Sequence, residues 1–307
     1  MDVSIVIVNY KTVSLIVDCI RSIREHVRDI AYEVIVVDNH SEDNFQERLQ
    51  AEFGDGVVCV PLPENIGFGR ANNEGFKVAK GRNLFCLNPD TLLLNNAVKI
   101  LSDYLDGHPE AGACGGNLYD EEMRPAHSFR RMLPSVAWEV NELFNLVPEK
   151  LLYGKNRKFN SSGKPMNVGY ITGADLMLRR SVLEKVGGFS PDFFMYYEET
   201  DLCCRIRKGG FKIVSVPEAK IQHLEGKSFG EGQINISRIS FSERGRLIYL
   251  KRNFSQCHVD LANLVYSIFL ASRIWLLKGC RKELYKAKRE RFLQARKENR
   301  SAGVNIL

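Results

Sequence analysis

The sequence predicts an α/β domain centred on a parallel sheet, and three observations lead there. Val3-Ser-Ile-Val-Ile-Val-Asn-Tyr10 is an apolar run of strand length that stops abruptly in polar residues. Glu33-Val-Ile-Val-Val-Asp-Asn39 repeats the pattern, and Val13, Ile16, Ile20, Ile23 and Val27 recur between the two at helical spacing. Continuous apolar runs of this length read as strands covered on both faces, as parallel strands are. The opening is therefore a β-α-β unit whose strand C-termini present Asn9, Tyr10, Asp38 and Asn39. Ligands of open α/β sheets bind at that edge.

The following elements extend the same plan. Asn65-Ile-Gly-Phe-Gly-Arg-Ala-Asn-Asn-Glu-Gly75 is a glycine-bearing loop running into a helix; it matches neither the dinucleotide fingerprint nor the P-loop. Leu84-Phe-Cys-Leu-Asn-Pro-Asp-Thr91 is another buried strand ending in an acid. The stretch from Arg124 to Lys164 lacks a period and carries Arg130, Arg131 and Trp138, which suits a mobile loop or lid, although Trp138 also reads as plain core. Tyr170 to Leu178 reads as a strand in which Gly173 permits close approach by a neighbouring group. Asp175 on that strand is either a ligand-facing group or an inward polar group satisfied by backbone. Phe211 to Val216 reads as a further strand, with His223 beyond it.

The most informative stretch is Phe193-Phe-Met-Tyr-Tyr-Glu-Glu-Thr-Asp-Leu202, which sets Glu198, Glu199 and Asp201 directly behind an aromatic run. A partly dry wall raises a carboxylate's pKa and keeps a proton acceptor ready near neutral pH, as a general base requires. The alternative is a helix start, with acids favoured by the positive end of the dipole.

Composition agrees with a large α/β domain plus an appendage: 307 residues, 44% of them hydrophobic. Eight cysteines without a C-x-x-C pair suit a reducing cytosol. The first strand starts at residue 3 with no signal peptide before it, so export is not expected. The net charge of +6 is local: ten Lys or Arg against three Glu between Lys278 and Arg300 give that segment +7, leaving −1 elsewhere. A nucleic-acid platform with basic residues interleaved among aromatics is absent. Just before the basic tail, Leu261, Leu264, Val265, Ile268, Phe269, Trp275 and Leu276 form an apolar helical stripe, with Asn263 and Ser267 off it and Arg273 interrupting it. That pattern predicts a helix lying in a membrane interface, followed by a segment attracted to anionic lipid. The alternative is a helix packed on the α/β domain or on a dimer partner.

Six motifs in order carry a resemblance to the family 2 glycosyltransferases of GT-A fold, and within them to the bacterial rhamnosyltransferase-like group. They are SIVIVNY (Ser4 to Tyr10), VVDN (Val36 to Asn39), NIGFGRANNEG (Asn65 to Gly75), LNPD (Leu87 to Asp90), GGFSPDFFMYYEETDL (Gly187 to Leu202) and VPEAKIQH (Val216 to His223). The resemblance runs from Val3 to about Gly226. It implies a Rossmann-like mixed sheet flanked by helices, a catalytic domain over 1–255 (nucleotide half about 1–115, acceptor half about 116–255) and a helical extension over 256–307. Asp38 would accept from the imide N–H of uracil or thymine, its alternative role being that of a turn residue. Asn9, Tyr10, Asn39, Asn65, Gly67, Arg70, Asn72 and Asn88 would line the nucleotide-sugar donor, a dTDP- or UDP-sugar. Asn88-Pro-Asp90 stands where the family carries Asp-x-Asp, so Asp90 and His223 would hold Mg²⁺ or Mn²⁺ against the diphosphate.

The family's Glu-Asp-x-Asp reads Glu198-Glu199-Thr200-Asp201 here. The resemblance therefore implies Glu199 as the base, one methylene longer than the usual aspartate, with Glu198 orienting the acceptor or substituting as base and Asp201 anchoring the helix to Arg205 or a backbone donor. Gly173 and Asp175 would face the acceptor, a saccharide or polyprenyl-diphosphate-linked saccharide at the inner membrane surface. The implied reaction is inverting transfer, with L-rhamnose from dTDP-rhamnose favoured and UDP-hexose or UDP-N-acetylhexosamine as alternatives. Other classes are a non-catalytic nucleotide-sugar-binding protein, which the intact acidic motif disfavours, and a nucleotidyltransferase, which would need a basic glycine-rich loop where Ile7 to Lys11 stands.

Overall fold

The computed structural model describes residues 1–224 and 235–301. Glu225 and Gly226, where the resemblance ends, and residues 302–307 of the expected extension lie outside the described residues. The first half runs β1 (Val3–Asn9), α1 (Val13–His26), β2 (Tyr32–Asp38), α2 (Phe45–Phe53), β3 (Val58–Pro61), α3 (Phe68–Val78), β4 (Asn83–Leu87), β5 (Thr91–Leu93), α4 (Ala97–Gly107) and β6 (Ala111–Tyr119). After it come β7 (Phe129–Arg130), α5 (Val136–Leu143), α6 (Val147–Tyr153), β8 (Met166–Asn167), β9 (Tyr170–Ile171), β10 (Asp175–Arg179), α7 (Arg180–Val186), α8 (Glu198–Lys208) and β11 (Lys212–His223). Helices α9 (Ile236–Asn253), α10 (Gln256–Leu276) and α11 (Gly279–Ser301) close the chain.

The main sheet has the order β3-β2-β1-β4-β10-β6-β11-β5, with β8 added on β11. Strands β1 to β4 are mutually parallel, whereas β10 is antiparallel to both β4 and β6. The sheet is therefore mixed. That reversal brings the start of β10 to the same edge as the ends of β1, β2 and β4. Alternation along β1 sorts its residues onto two faces. Ile5 and Ile7 pack with Ile16 and Ile20 of α1 and Leu101 of α4. Val6 and Val8 face the opposite way, against Ala71 of α3. On that second side Leu176 and Leu178 pack with Val182 of α7 and Leu202, Cys203 and Ile206 of α8. A further cluster joins Phe193 and Cys204 to Ile248 and Tyr249 of α9 and Val259 and Ala262 of α10.

Four elements differ from the sequence-based expectation. The strand expected over Tyr170 to Leu178 is broken at 172–174, and its halves pair differently: β9 with β7, and β10 inside the main sheet. The strand expected over Phe211 to Val216 runs on to His223, because Ile221 to His223 find partners in β5. The stretch from Arg124 to Lys164 forms α5 and α6, and Ser135 caps α5 by accepting from the Trp138 N–H at 3.4 Å.

Helix α10 divides its sequence differently from the expected stripe. Asn263, Phe269 and Arg273 are buried, while Leu261, Leu264, Ile268, Trp275 and Leu276 remain exposed. The polar breaks face inward because α5 and α9 supply their partners. The buried Arg246 of α9 makes a 2.7 Å ion pair with Glu139 and donates to the Asn263 side chain at 2.9 Å. Arg273 donates to the Glu142 and Leu143 carbonyls at the end of α5.

Candidate active site

The ends of β1 and β2 meet through side chains. The Asn9 amide donates to Asp38 at 2.8 Å and to Asp43 at 3.2 Å, and the Ser41 N–H donates to the other Asp38 oxygen at 3.1 Å. Asp38 is thereby held at the strand terminus, 6% exposed, with acceptor capacity remaining on both oxygens. Tyr10 beside it is exposed. Asn39 donates to Asn65 at 2.9 Å and accepts from the Ile66 N–H at 2.9 Å, so the glycine-bearing loop is tied to this edge.

Gly67 then turns the chain into α3 with φ of +88°, and a side-chain carbon there would overlap the Phe194 carbonyl oxygen. Its close approach is thus to the loop before α8. The Phe68 N–H donates to that same carbonyl at 3.1 Å. Asn72 is buried and donates to the Phe68 carbonyl at 3.0 Å.

At the other side of the edge, Asp90 and His223 come together from elements far apart in sequence. Their side chains are 3.3 Å apart, Nε2 to Oδ1, and the Leu224 N–H donates to the Asp90 carbonyl at 2.9 Å. Asn88 is fixed by its N–H donating to Ala174 at 3.0 Å and its carbonyl accepting from the Thr91 hydroxyl at 2.7 Å. Among the described residues no group of three or more His, Cys, Asp or Glu converges. An ion at Asp90 and His223 would have to draw its other ligands from a bound diphosphate and water, which suits a hard divalent cation with oxygen ligands.

The acidic motif opens α8 through an unusual turn. Tyr196 and Tyr197 both adopt left-handed backbone conformations, with φ of 69° and 73°. For bulky residues this costs about 1–3 kcal/mol each. Surrounding packing holds the turn: Gly245 of α9 lies so close under the Tyr196 carbonyl that a side-chain carbon would sit 2.6 Å from it, and the Tyr197 ring is 5.8 Å from that of Tyr249. The strained turn fixes where Glu198 and Glu199 point.

The three acids have different surroundings. Glu198 is buried, one of its carboxylate oxygens has no hydrogen-bond partner, and its stem lies against Gly69 of α3. Burial pushes its carboxyl well above the carboxylate range, and the Glu199 charge adds to the shift. Glu199 is half-buried. Burial raises its carboxyl too, while its own N–H and that of Thr200, with the Thr200 hydroxyl, pull it back. Glu198 is thus the more strongly raised of the two, and hydrogen bonding holds Glu199 nearer the carboxylate range. Asp201 turns away from both: fully buried, it accepts from Arg205 at 2.8 Å and from Asn253 at 2.9 Å. Arg205 in turn donates to the carbonyls of Val186, Gly187 and Gly188, so this pair clamps the preceding turn.

Comparison with known proteins gives this geometry its context. The family model described as glycosyl transferase family 2 matches residues 4–187. The chain belongs to glycosyl transferase family 2. It is 28% identical over 212 residues to the N-acetylglucosaminyl-diphospho-decaprenol L-rhamnosyltransferase of Mycobacterium tuberculosis, a match covering 64% of this chain and 68% of the relative. It is 24% identical over 226 residues to rhamnosyltransferase WbbL of Escherichia coli, covering 69% and 82% respectively. These relatives place it in the rhamnosyltransferase-like group. Mannosyltransferase PcManGT from Pyrobaculum calidifontis, solved with GDP-Man and Mn²⁺, shares the fold with a TM-score of 0.57 at 16% identity, over 98% of this chain and 88% of that one. GalNAc-T7, solved with UDP, GalNAc and Mn²⁺, does so with a TM-score of 0.63 at 14% identity, over 98% of this chain and 57% of the GalNAc-T7 chain. The fold is GT-A.

The glycosyltransferase also places residues that sequence reasoning ranked differently or missed. Asp175 has no exposed surface and accepts from the Gly116 N–H at 2.6 Å. Burial holds its carboxyl well above the usual range. Gly173 lies against the Phe68 ring, where a side-chain carbon would be 3.4 Å away. Tyr170, read only as a strand residue, lies within electrostatic reach of Glu199 on one side and Arg130 on the other; burial pushes its hydroxyl pKa up and the Glu199 charge adds to the shift. The Arg130 guanidinium stacks 5.1 Å over Trp138 and sits 3.9 Å from the buried Glu149. Asp43, the second carboxylate on Asn9, was equally hidden, since nothing in a loop sequence says which acid folds back.

Proposed function

We propose that this transferase moves L-rhamnose from dTDP-rhamnose to a hydroxyl of a saccharide or lipid-linked saccharide in cell-surface polysaccharide synthesis, with inversion at the anomeric carbon. The observation that carries the reading is the carboxylate pair at the start of α8, with Glu198 buried and one of its oxygens unpartnered, and Glu199 half-buried beside it. Glu199 removes the proton of the acceptor hydroxyl as that oxygen attacks the sugar, and the nucleotide diphosphate leaves from the opposite face. Protonated Glu198 can donate a hydrogen bond that orients the acceptor without adding a second charge. Asp38 accepts from the imide N–H of the base.

Asp90 and His223 would hold Mg²⁺ or Mn²⁺, which supplies positive charge against the leaving diphosphate. The names of the relatives support the rhamnosyl assignment and the lipid-linked acceptor. Asp38 would read uracil in the same way, so UDP-hexoses and UDP-N-acetylhexosamines belong in the same screen.

Helix α10 is long and apolar enough to cross a membrane by length and composition. Because its inner face is occupied by α5 and α9, we assign it to the surface of the inner leaflet. Its exposed Leu261, Leu264, Ile268, Trp275 and Leu276 would enter the interface, and the cations of α11 would add on the order of 1 kcal/mol each near anionic lipid.

The test is a panel of nucleotide sugars with purified protein, reading nucleotide diphosphate release with and without lipid-linked acceptors. The proposal expects acceptor-dependent release from dTDP-rhamnose. Release from a UDP-sugar alone would replace the donor, and acceptor-independent results throughout would remove the transfer reading.

A further inference from the structure

A cavity of about 220 Å³ lies between the loop before α8 and helix α9, many times what a single water needs. We propose that it binds the diphosphate of the lipid-linked acceptor; this rests on the transfer reading above and names the group on the acceptor that the protein recognises.

Its wall carries Arg244 from α9 and Arg70 from α3, the latter expected at the donor, two arginines from distant parts of the chain. Among the described residues neither has an ion-pair partner, and the buried Arg70 Nε has no hydrogen-bond partner. The carboxylate at the rim, Asp192, is neutralised by an ion pair with Arg252. The lining therefore presents net positive charge in a form suited to phosphate oxygens, since guanidinium forks pair with phosphate through two parallel hydrogen bonds.

The remaining lining is apolar and includes Ile248 and the rings of Phe194 and Phe241, stacked at 4.9 Å. Ile248 belongs to the cluster that packs on Val259 and Ala262 of α10, and the opposite face of that helix is the exposed apolar one. An anionic headgroup on a polyprenyl chain would meet charge, aromatic wall and membrane-facing helix in that order.

Position relative to the chemistry agrees. Gly69, next to Arg70, lies against Glu198, and Phe194 and Met195 on the cavity wall lead directly into the Glu198–Glu199 turn. Asp90 and His223 do not line the cavity. The molecule thus offers two separate anion positions, one at the sheet edge for the donor diphosphate and one here for the acceptor diphosphate.

The probe is farnesyl diphosphate, titrated calorimetrically into the full-length protein with the donor site saturated by nucleotide diphosphate and Mg²⁺. Loss of a charge-assisted hydrogen bond predicts that Arg244→Gln weakens farnesyl diphosphate binding about 10- to 100-fold. In transfer assays the KM for the diphosphate-linked acceptor should rise by the same factor while the donor KM holds. Three results would overturn the proposal: unchanged farnesyl diphosphate affinity in Arg244→Gln, equal affinity of the wild type for neutral farnesol, or a weakening confined to the nucleotide diphosphate, which would give the cavity to the donor. The binding arm needs no turnover, so a protein that binds farnesyl diphosphate through Arg244 but transfers no sugar would sink the transfer reading and leave the anion site standing.

Discussion

Strand β1 and helix α10 are both apolar runs, yet the fold buries every residue of the first and only one face of the second. In the strand, alternation puts side chains on two covered faces, so polarity is tolerated mainly at the end, where Asn9 turns toward Asp38. The helix has a choice of faces. It turns Asn263 and Arg273 inward and leaves Leu264, Ile268 and Trp275 in solvent, because Arg246, Glu139 and the α5 carbonyls satisfy the polar groups. The lesson is that a run of apolar residues specifies burial only when no long-range polar network competes for the same interface.

Removing that network should have the largest effect. Arg246→Ala strands the buried Glu139 and Asn263 and should cost about 3–5 kcal/mol in urea unfolding. A loss below about 1 kcal/mol would mean that apolar packing alone docks the arm. At the sheet edge the corresponding break is in binding: Asp90→Ala should weaken nucleotide diphosphate with Mg²⁺ at least about tenfold and leave the free nucleoside unaffected, read by calorimetry. Equal loss for both ligands would make Asp90 a structural residue. The smallest effect on stability is expected on the outer face of α10, where Leu264→Asn with Trp275→Ser should change unfolding by no more than about 0.5 kcal/mol per site. The same double variant should bind anionic vesicles several-fold more weakly, most clearly at low salt. Unchanged vesicle binding would return this face to protein contacts.

The two regions also differ in how far they could be read in advance. Strands β1, β2 and β4 were legible because each is a short run with a sharp polar end, and the acids behind Tyr197 stood out by their aromatic company. The approach of His223 to Asp90 depends on β11 continuing past Val216 to pair with β5, a long-range event with no local signal. Arg70 and Arg244 on one cavity wall, and Tyr170 within electrostatic reach of Glu199, likewise draw on distant elements. The α10 stripe was visible as a period, but which side faced inward depended on Glu139 and Arg246, more than a hundred residues apart.

The central claim is that Glu199 takes the proton, and the most direct measurement is transfer by Glu199→Gln beside Glu198→Gln across pH. Wild-type kcat/KM should rise with pH as Glu199 loses its proton, with the acid limb above the ordinary carboxylate value because burial raises that group. Glu199→Gln should lower kcat by about 10²- to 10⁴-fold at unchanged donor affinity. Glu198→Gln should retain the acid limb at nearly the same pH, because burial and the Thr200 groups, not Glu198, set the Glu199 carboxyl. Near-normal transfer by Glu199→Gln, with the limb lost only in Glu198→Gln, would contradict the account and move the base to Glu198.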